Sequence, residues 1–250
     1  MRTRRKPTQS RLSVSDIDVE VIRKDVKYLR IAIYPPDGRV RVSVPRRVGD
    51  AEVHAAVVER LDWIAKHRDR MAQAPVQAAQ QLVTGEQHLV AGVAYTLVLI
   101  EHSGRSRVEV VENELRLHVP AEADLAYRGE VLDRWYRAQL NVAISKLIQQ
   151  WEPVVGASAA QWGIRKMKSR WGSCNCTTAR LTFNLELAKK DLALLEYVVV
   201  HELTHLLERG HGPKFKVLMD SFLPDWRKLR SQLNASATNG PEPNSEPHLV

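Results

Sequence analysis

The run His201-Glu202-Leu203-Thr204-His205 constrains this 250-residue chain more than any other stretch of it. Two imidazoles four residues apart on an α-helix lie one turn apart on the same side, with a carboxylate between them. At that spacing two ring nitrogens reach a single Zn²⁺ at about 2.0 to 2.1 Å while Glu202 reaches a water on the metal, the arrangement a metal-assisted hydrolase needs. A third ligand follows in Gly210-His211-Gly212-Pro213. A chain turning back there lets His211 close a three-histidine site with one position open, and open positions mark catalytic zinc. Glu208, one turn beyond His205, is the alternative third ligand, but it lies at the fraying end of the helix, so His211 is preferred. Buried histidines satisfied by backbone carbonyls would explain one such residue; they do not explain the pair with its glutamate.

The spacing predicts a helix from about Asp191 to Glu208. Leu192, Leu195, Val199, Leu203 and Leu206 fall in one arc at about 100° per residue, with His201 and His205 opposite. Val198, Val199 and Val200 are poor helix formers, so this helix must draw its stability from burial. Gly210 suits a left-handed cap and Pro213 a first helical position. The next helix then carries Phe215, Leu218, Met219 and Phe222 on one face, anchoring the hinge that holds His211, and stops at Leu223-Pro224.

Three segments together resemble a known family: Met167-Lys168-Ser169-Arg170-Trp171-Gly172-Ser173-Cys174, the short strand Leu181-Thr182-Phe183-Asn184-Leu185, and Val198 to His205. In order and spacing they are similar to the YgjP-like metal-dependent hydrolases of bacteria, over about Asp16 to Leu233. Gly210-His211-Gly212-Pro213-Lys214-Phe215 also resembles the third-ligand segment of SprT-like metalloproteases. The resemblance implies an α+β, zincin-type peptidase fold, with the family's metal histidines at His201, His205 and His211 and its general base at Glu202. The metzincin pattern places Gly three residues after the second histidine; Glu208 stands there, so that class is not supported.

The formal net charge is +8, and Arg2, Arg4, Arg5, Lys6 and Arg11 supply +5 of it. By composition residues 1–13 read as a disordered basic tail, and residues 234–250 as a second disordered tail. A further basic run, Arg165, Lys166, Lys168 and Arg170, precedes Trp171 and is expected to face a substrate or a phosphate backbone, so weak contact with nucleic acid through the basic segments is a second expectation. No apolar run approaches the roughly 18 to 20 residues that span a bilayer, and the basic start has no apolar stretch behind it, so neither membrane insertion nor secretion is expected and the cytoplasm is. Cys174 and Cys176 are too close for an ordinary disulfide framework, which agrees with a reducing compartment.

Strands are predicted over Val19 to Ile22, Tyr28 to Tyr34 and Arg39 to Val44, with Pro35-Pro36-Asp37-Gly38 as the turn between the last two. Asp50 is expected to cap one helix whose apolar stripe is Val53, Val57, Leu61 and Ile64. A connector follows over Ala72 to Gln81, then strands over Val93 to Ile100, Arg107 to Val111 and Glu114 to Val119, then a long helix from about Ala121 to Glu152. Residues 14–120 thus read as a β-rich region with one helix and residues 121–233 as the zincin-like catalytic region. Within the latter, Leu181 to Leu185 is the strand expected to receive an extended substrate. Trp171 suits either a site wall or the core, and Arg170 or Tyr197 suits the stabiliser of a developing oxyanion.

The leading expectation is a zinc-dependent peptidase. The competing one is a nucleic-acid-associated protein, either an SprT-like protease of DNA-bound proteins or a module with structural zinc; a structural site would need four protein ligands and no Glu202. Hydrolysis of amides other than peptides is also compatible with the motif.

Overall fold

A computed structural model describes residues 6–34, 37–73, 80–168 and 170–235. It is α+β, and its contacts divide into two compact units, Met1–Val76 and Gln77–His248.

The first unit is a four-stranded sheet with two helices. The strands are β1 (Thr8–Val14), β2 (Ile17–Lys24), β3 (Arg30–Tyr34) and β4 (Arg39–Pro45), in the order β1-β2-β4-β3. β1 and β3 pair antiparallel with their neighbours, and β2 runs parallel to β4. Alternate β-branched residues, Val19 and Val21 on β2 and Val40, Val42 and Val44 on β4, point to one side and are fully or almost fully buried. Val53, Val57 and Ile64 complete that core. All of β1 but its last residue, Thr8 to Ser13, falls within the segment that composition reads as a tail. It is a strand because Leu12 and Val14 alternate inward and every residue from Thr8 to Val14 is in register with β2. The single helix expected from Asp50 is two helices, α1 (Asp50–Val58) and α2 (Leu61–Gln73), broken at Glu59-Arg60. Its N-cap is Gly49, whose N–H donates to Glu52 Oε2 at 2.9 Å. Pro35, Pro36 and most of the connector lie outside the described residues, as do residues 1–5 and 236–250.

The second unit opens with another four-stranded sheet: β5 (Gln87–Val90), β6 (Val93–Glu101), β7 (Arg107–Val111) and β8 (Glu114–Val119), in the order β5-β6-β8-β7. Its topology matches that of the first sheet, two hairpins joined through a parallel pair, here β6 with β8. β5 was not anticipated; only four residues long, it is defined by the Ala91-Gly92 turn, whose two positive φ angles, 48° and 84°, are those of a tight hairpin. This sheet shares one core with the long helix α3 (Leu125–Val155), whereas a boundary at residue 120 would separate the two. Tyr136 on α3 donates its hydroxyl to Leu89 O at 2.7 Å. Asp124 caps α3 by accepting from Tyr127 N, and Gly156 ends it in the left-handed region.

A three-stranded sheet follows, β9 (Gln161–Arg165), β10 (Gly172–Asn175) and β11 (Arg180–Asn184), in the order β10-β11-β9. After a 3-10 helix, Leu185–Lys189, come α4 (Leu192–Thr204), α5 (Pro213–Phe222) and α6 (Trp226–Ala235). Among the described residues no helix is long and apolar enough to cross a membrane.

Candidate active site

The helix that carries the motif is buried nearly all round. Leu194, Leu195, Val198, Val199, Val200 and Leu203 are each at most 8 % exposed, so packing offsets the low helix propensity of its valines. Leu192, expected on the packing arc, is instead 54 % exposed at the N-terminus. Two contacts fix α4 in place. Asp191 caps it by accepting from Ala193 N at 2.8 Å, and Glu196 accepts from Trp151 Nε1 of α3 at 2.9 Å. The Ala91-Gly92 turn lies against the start of α4: Ala91 N donates to Ala188 O at 2.9 Å, and a β-carbon on Gly92 would meet Asp191 Cα at 3.1 Å.

α4 ends earlier than its periodicity predicts, at Thr204, with His205 as its C-cap. Leu206 N then bonds Leu203 O and Glu208 N bonds Thr204 O, a tightened turn that sends the chain back towards the helix. Thr204 holds the turn, its hydroxyl donating to Val200 O at 2.7 Å and lying 3.3 Å from Met219 Sδ on α5. Gly212 and Pro213 start α5 as expected, and the segment between the helices brings His211 over α4.

The three histidines predicted as ligands meet. His201 Nε2 lies 3.2 Å from His205 Nε2 and 3.1 Å from His211 Nε2, and the ligand atoms of all three lie within 4.8 Å of one another. Phe215 packs its ring 4.7 to 5.0 Å from each imidazole centroid and holds the cluster from one side. His205 Nδ1 lies 3.0 Å from Glu208 O, an acceptor, so its proton sits on Nδ1 and its Nε2 presents a lone pair to the cluster. Burial, reinforced by the neighbouring imidazoles and Arg230, holds His201 well below the usual histidine range, and burial also lowers His205. Neutral imidazoles that face one another across 3.1 to 3.2 Å are close to the edge of a tetrahedral zinc site, about 3.3 to 3.4 Å for Zn–N bonds of about 2.0 to 2.1 Å. The donor set therefore fits a metal ion. Glu208 is turned to other partners, with Lys214 Nζ 3.6 Å and Gly210 N 3.2 Å from its carboxylate.

Glu202 is 5 % exposed and faces the same cavity as His201 and His211, a space of about 60 Å³ also walled by Arg170, Trp171 and Tyr197. Burial pushes its carboxyl up to about 8, against the pull of the positive charge on Arg170. Gly172 on β10 lies directly on this carboxylate. Trp171 fills both roles left open for it, at once a core residue, 5 % exposed, and a wall of the cavity. Tyr197 and Arg170, the two suggested oxyanion stabilisers, both line the cavity; burial pushes the Tyr197 hydroxyl up to about 12, so it stays protonated and can donate.

Several residues that build the site gave little warning in the sequence. Asn184 is fully buried at the end of β11 and clamps the preceding loop: its Nδ2 donates to Met167 O at 2.9 Å and Arg170 O at 2.8 Å, and its Oδ1 accepts from Met167 N at 3.2 Å. Its backbone N–H adds a bond to Trp171 O at 2.8 Å. Arg230 of α6 reaches the cavity from a helix that the motif analysis did not connect with it. The strand expected to receive an extended substrate has no free edge: β11 lies between β10 and β9, and the sheet edge beside Glu202 belongs to β10. Cys174 and Cys176 flank the edge with their sulfurs 3.9 Å apart, and Cys176 Sγ donates to His205 O at 3.2 Å.

A family profile described as "YgjP-like, metallopeptidase domain" matches residues 27–236. No curated protein matches the chain. Among solved structures, the metallopeptidase zymogen of Pyrococcus abyssi abylysin is 14 % identical, with 39 % of this chain and 98 % of that one covered at a TM-score of 0.36. The metallopeptidase zymogen of Methanocaldococcus jannaschii jannalysin is 20 % identical, with 38 % and 90 % covered at 0.35.

Proposed function

The chain belongs to the YgjP-like metallopeptidase family, and from that premise we propose that it is a zinc-dependent peptidase in which His201, His205 and His211 hold the metal and Glu202 is the general base. The observation that carries this reading is the convergence of three histidine Nε2 atoms beside a buried carboxylate that faces the same cavity. Three imidazoles with a fourth position open favour zinc in a catalytic role. A zinc ion held there would lower the pKa of a water molecule toward ~7 and polarise an amide carbonyl.

Glu202 supplies the proton chemistry. Burial pushes its carboxyl up to about 8, and the charge of a zinc ion held beside it would draw that value down again, leaving a carboxylate to take a proton from the attacking water and return it to the leaving amine. Tyr197, protonated at that pH, and the guanidinium groups of Arg170 and Arg230 are the donors available to charge that develops on the carbonyl oxygen. The free edge of β10 offers backbone N–H and C=O groups to an extended peptide, pairing that disregards side-chain identity and leaves specificity to the flanking faces.

A structural-zinc module is less well supported, since among the described residues the metal-competent cluster is made of three histidines and no fourth ligand joins it. The test is Glu202→Gln, which keeps size and hydrogen-bonding reach and removes basicity. The variant is expected to retain zinc and to lose roughly 10² to 10⁴ in the rate of peptide-library cleavage. Cleavage as fast as the parent's would remove Glu202 from the mechanism. If the zinc-loaded parent cleaved nothing, the peptidase reading would go with it.

A further inference from the structure

Beside the metal cavity lies a larger, open groove of about 530 Å³ whose charge is of one sign. Arg165, Arg170, Arg180 and Arg209 line it, and no carboxylate or aromatic ring is among the described residues that do. None of these four guanidinium groups forms an ion pair or a side-chain hydrogen bond among the described residues; Arg170 is the one near enough to Glu202 for its charge to be felt there. By contrast, Lys166, in the same basic run, is paired with Asp133.

The groove floor follows from strand register. On β10 and β11, Ser173 stands opposite Thr182 and Asn175 opposite Arg180, and in the parallel pairing Arg165 of β9 is level with Asn184. Ser173, Asn175, Thr182 and Arg180 therefore share the face of the sheet opposite to Leu181 and Phe183, which enter the core. Gly163, level with Thr182, adds no side chain, and a β-carbon there would meet nothing within 4 Å. Arg170 lines both this groove and the metal cavity, so the two are neighbours on either side of it.

Building on the peptidase reading above, we propose that the groove is an acidic-residue subsite: the enzyme prefers peptides with Asp or Glu at alternate positions along the stretch that pairs with β10. An extended chain on that edge turns every second side chain to the arginine face. The guanidinium groups of Arg165, Arg180 and Arg209, with Arg170 where the groove meets the metal cavity, offer bidentate bonds to carboxylates. The same groups could meet phosphates, but single-stranded nucleic acid is normally held with aromatic platforms for its bases, and the groove has none.

The test compares zinc-loaded parent with Arg180→Glu/Arg209→Glu on fluorogenic peptide pairs that differ by Glu, Gln or Lys at one position at a time. For the parent, kcat/KM is expected to favour Glu over Gln about tenfold or more at positions two apart and not at the one between, and the ratio should shrink toward 1 in 0.5 M salt, where exposed charges are screened. The double variant should reverse the preference toward Lys, which a merely structural role for these arginines would not do. Equal cleavage of the three peptides by the parent overturns the subsite and leaves the peptidase reading intact. If the parent cleaves none of them, binding of labelled Glu and Gln peptides to Glu202→Gln decides the subsite without catalysis: tighter binding of the Glu peptide, lost in Arg180→Glu/Arg209→Glu, upholds it, and equal binding overturns it. An oligonucleotide that binds through these arginines while Glu peptides fail to displace it also overturns the proposal.

Discussion

Gly172 and Glu202 are in contact in a way that only glycine permits: a β-carbon at position 172 would sit 2.5 Å from Glu202 Oε1 and 2.7 Å from its Cγ. The first residue of β10, the strand proposed to receive the substrate, thus rests on the carboxylate that is proposed to move the proton. Neither backbone nor helix can yield easily, since β10 is tied to β11 and α4 is buried nearly all round. Gly172→Ala is therefore expected to displace the Glu202 carboxylate by about an ångström, costing on the order of 10²-fold in kcat while zinc content stays near one per chain. Zinc loss in parallel with activity would show that the glycine supports the whole site and not the carboxylate alone.

Asn184 is the second support. Its side chain makes three hydrogen bonds to the backbone of Met167 and Arg170 from a position with no solvent exposure. Asn184→Ala leaves those backbone groups without their partner, and a loss of about 2 kcal/mol or more is expected. Urea denaturation of parent and variant checks it, with an unchanged slope required for the comparison to hold.

Much of this was legible in the chain and some was not, for physical reasons. His201, Glu202 and His205 share one helical turn, so their relation is local and their spacing states it. His211 was reachable because Gly210, Gly212 and Pro213 mark a turn on either side of it. The role of Gly172 depends on a partner thirty residues away, and no local pattern records such a contact. β10 reads Gly-Ser-Cys-Asn, without a β-branched residue, and exists because β11 offers it an edge. In β1 the alternation of Leu12 and Val14 is hidden among basic and polar residues, so the composition of the tail outweighed a pattern of two. The break between α1 and α2 falls at Glu59-Arg60, with neither Gly nor Pro to announce it.

Because β1 is a strand, removing residues 1–14 is expected to be costly. It deletes the fully buried Val14 and strips β2 of its antiparallel partner. Amide exchange in β2 should accelerate in the truncated protein; protection equal to the parent's would mean that β1 contributes nothing to the sheet.

Stability should also carry a pH signature remote from the metal. His88 is 2 % exposed, and burial together with the charge of Lys189 lowers it below the usual histidine range despite the opposing pull of Glu86. A histidine lowered in the folded state binds fewer protons there than when unfolded, so its contribution is intact above the unfolded value of about 6.5 and is lost as pH falls below it. The drop in unfolding free energy between pH 7.5 and 5.5 should be smaller in His88→Gln than in the parent. Equal drops would assign the acid sensitivity elsewhere.

Metal removal separates the ligands. His211 places Nε2 3.1 Å from His201 Nε2, whereas the Glu208 carboxylate is engaged with Lys214 and Gly210 N. His211→Ala removes one of three converging nitrogens and is expected to lower zinc affinity by 10²-fold or more, while Glu208→Ala, which leaves the Glu208 carbonyl in place for His205 Nδ1, should change it little. Chelation of the parent should then lower its melting temperature, since an ion that binds only the folded state stabilises by mass action. The same chelator should leave the melting temperature of His211→Ala nearly unchanged. If Glu208→Ala were the variant that lost zinc, the third ligand would be the carboxylate, and the segment from Leu206 to Gly212 would have to refold around the metal to deliver it.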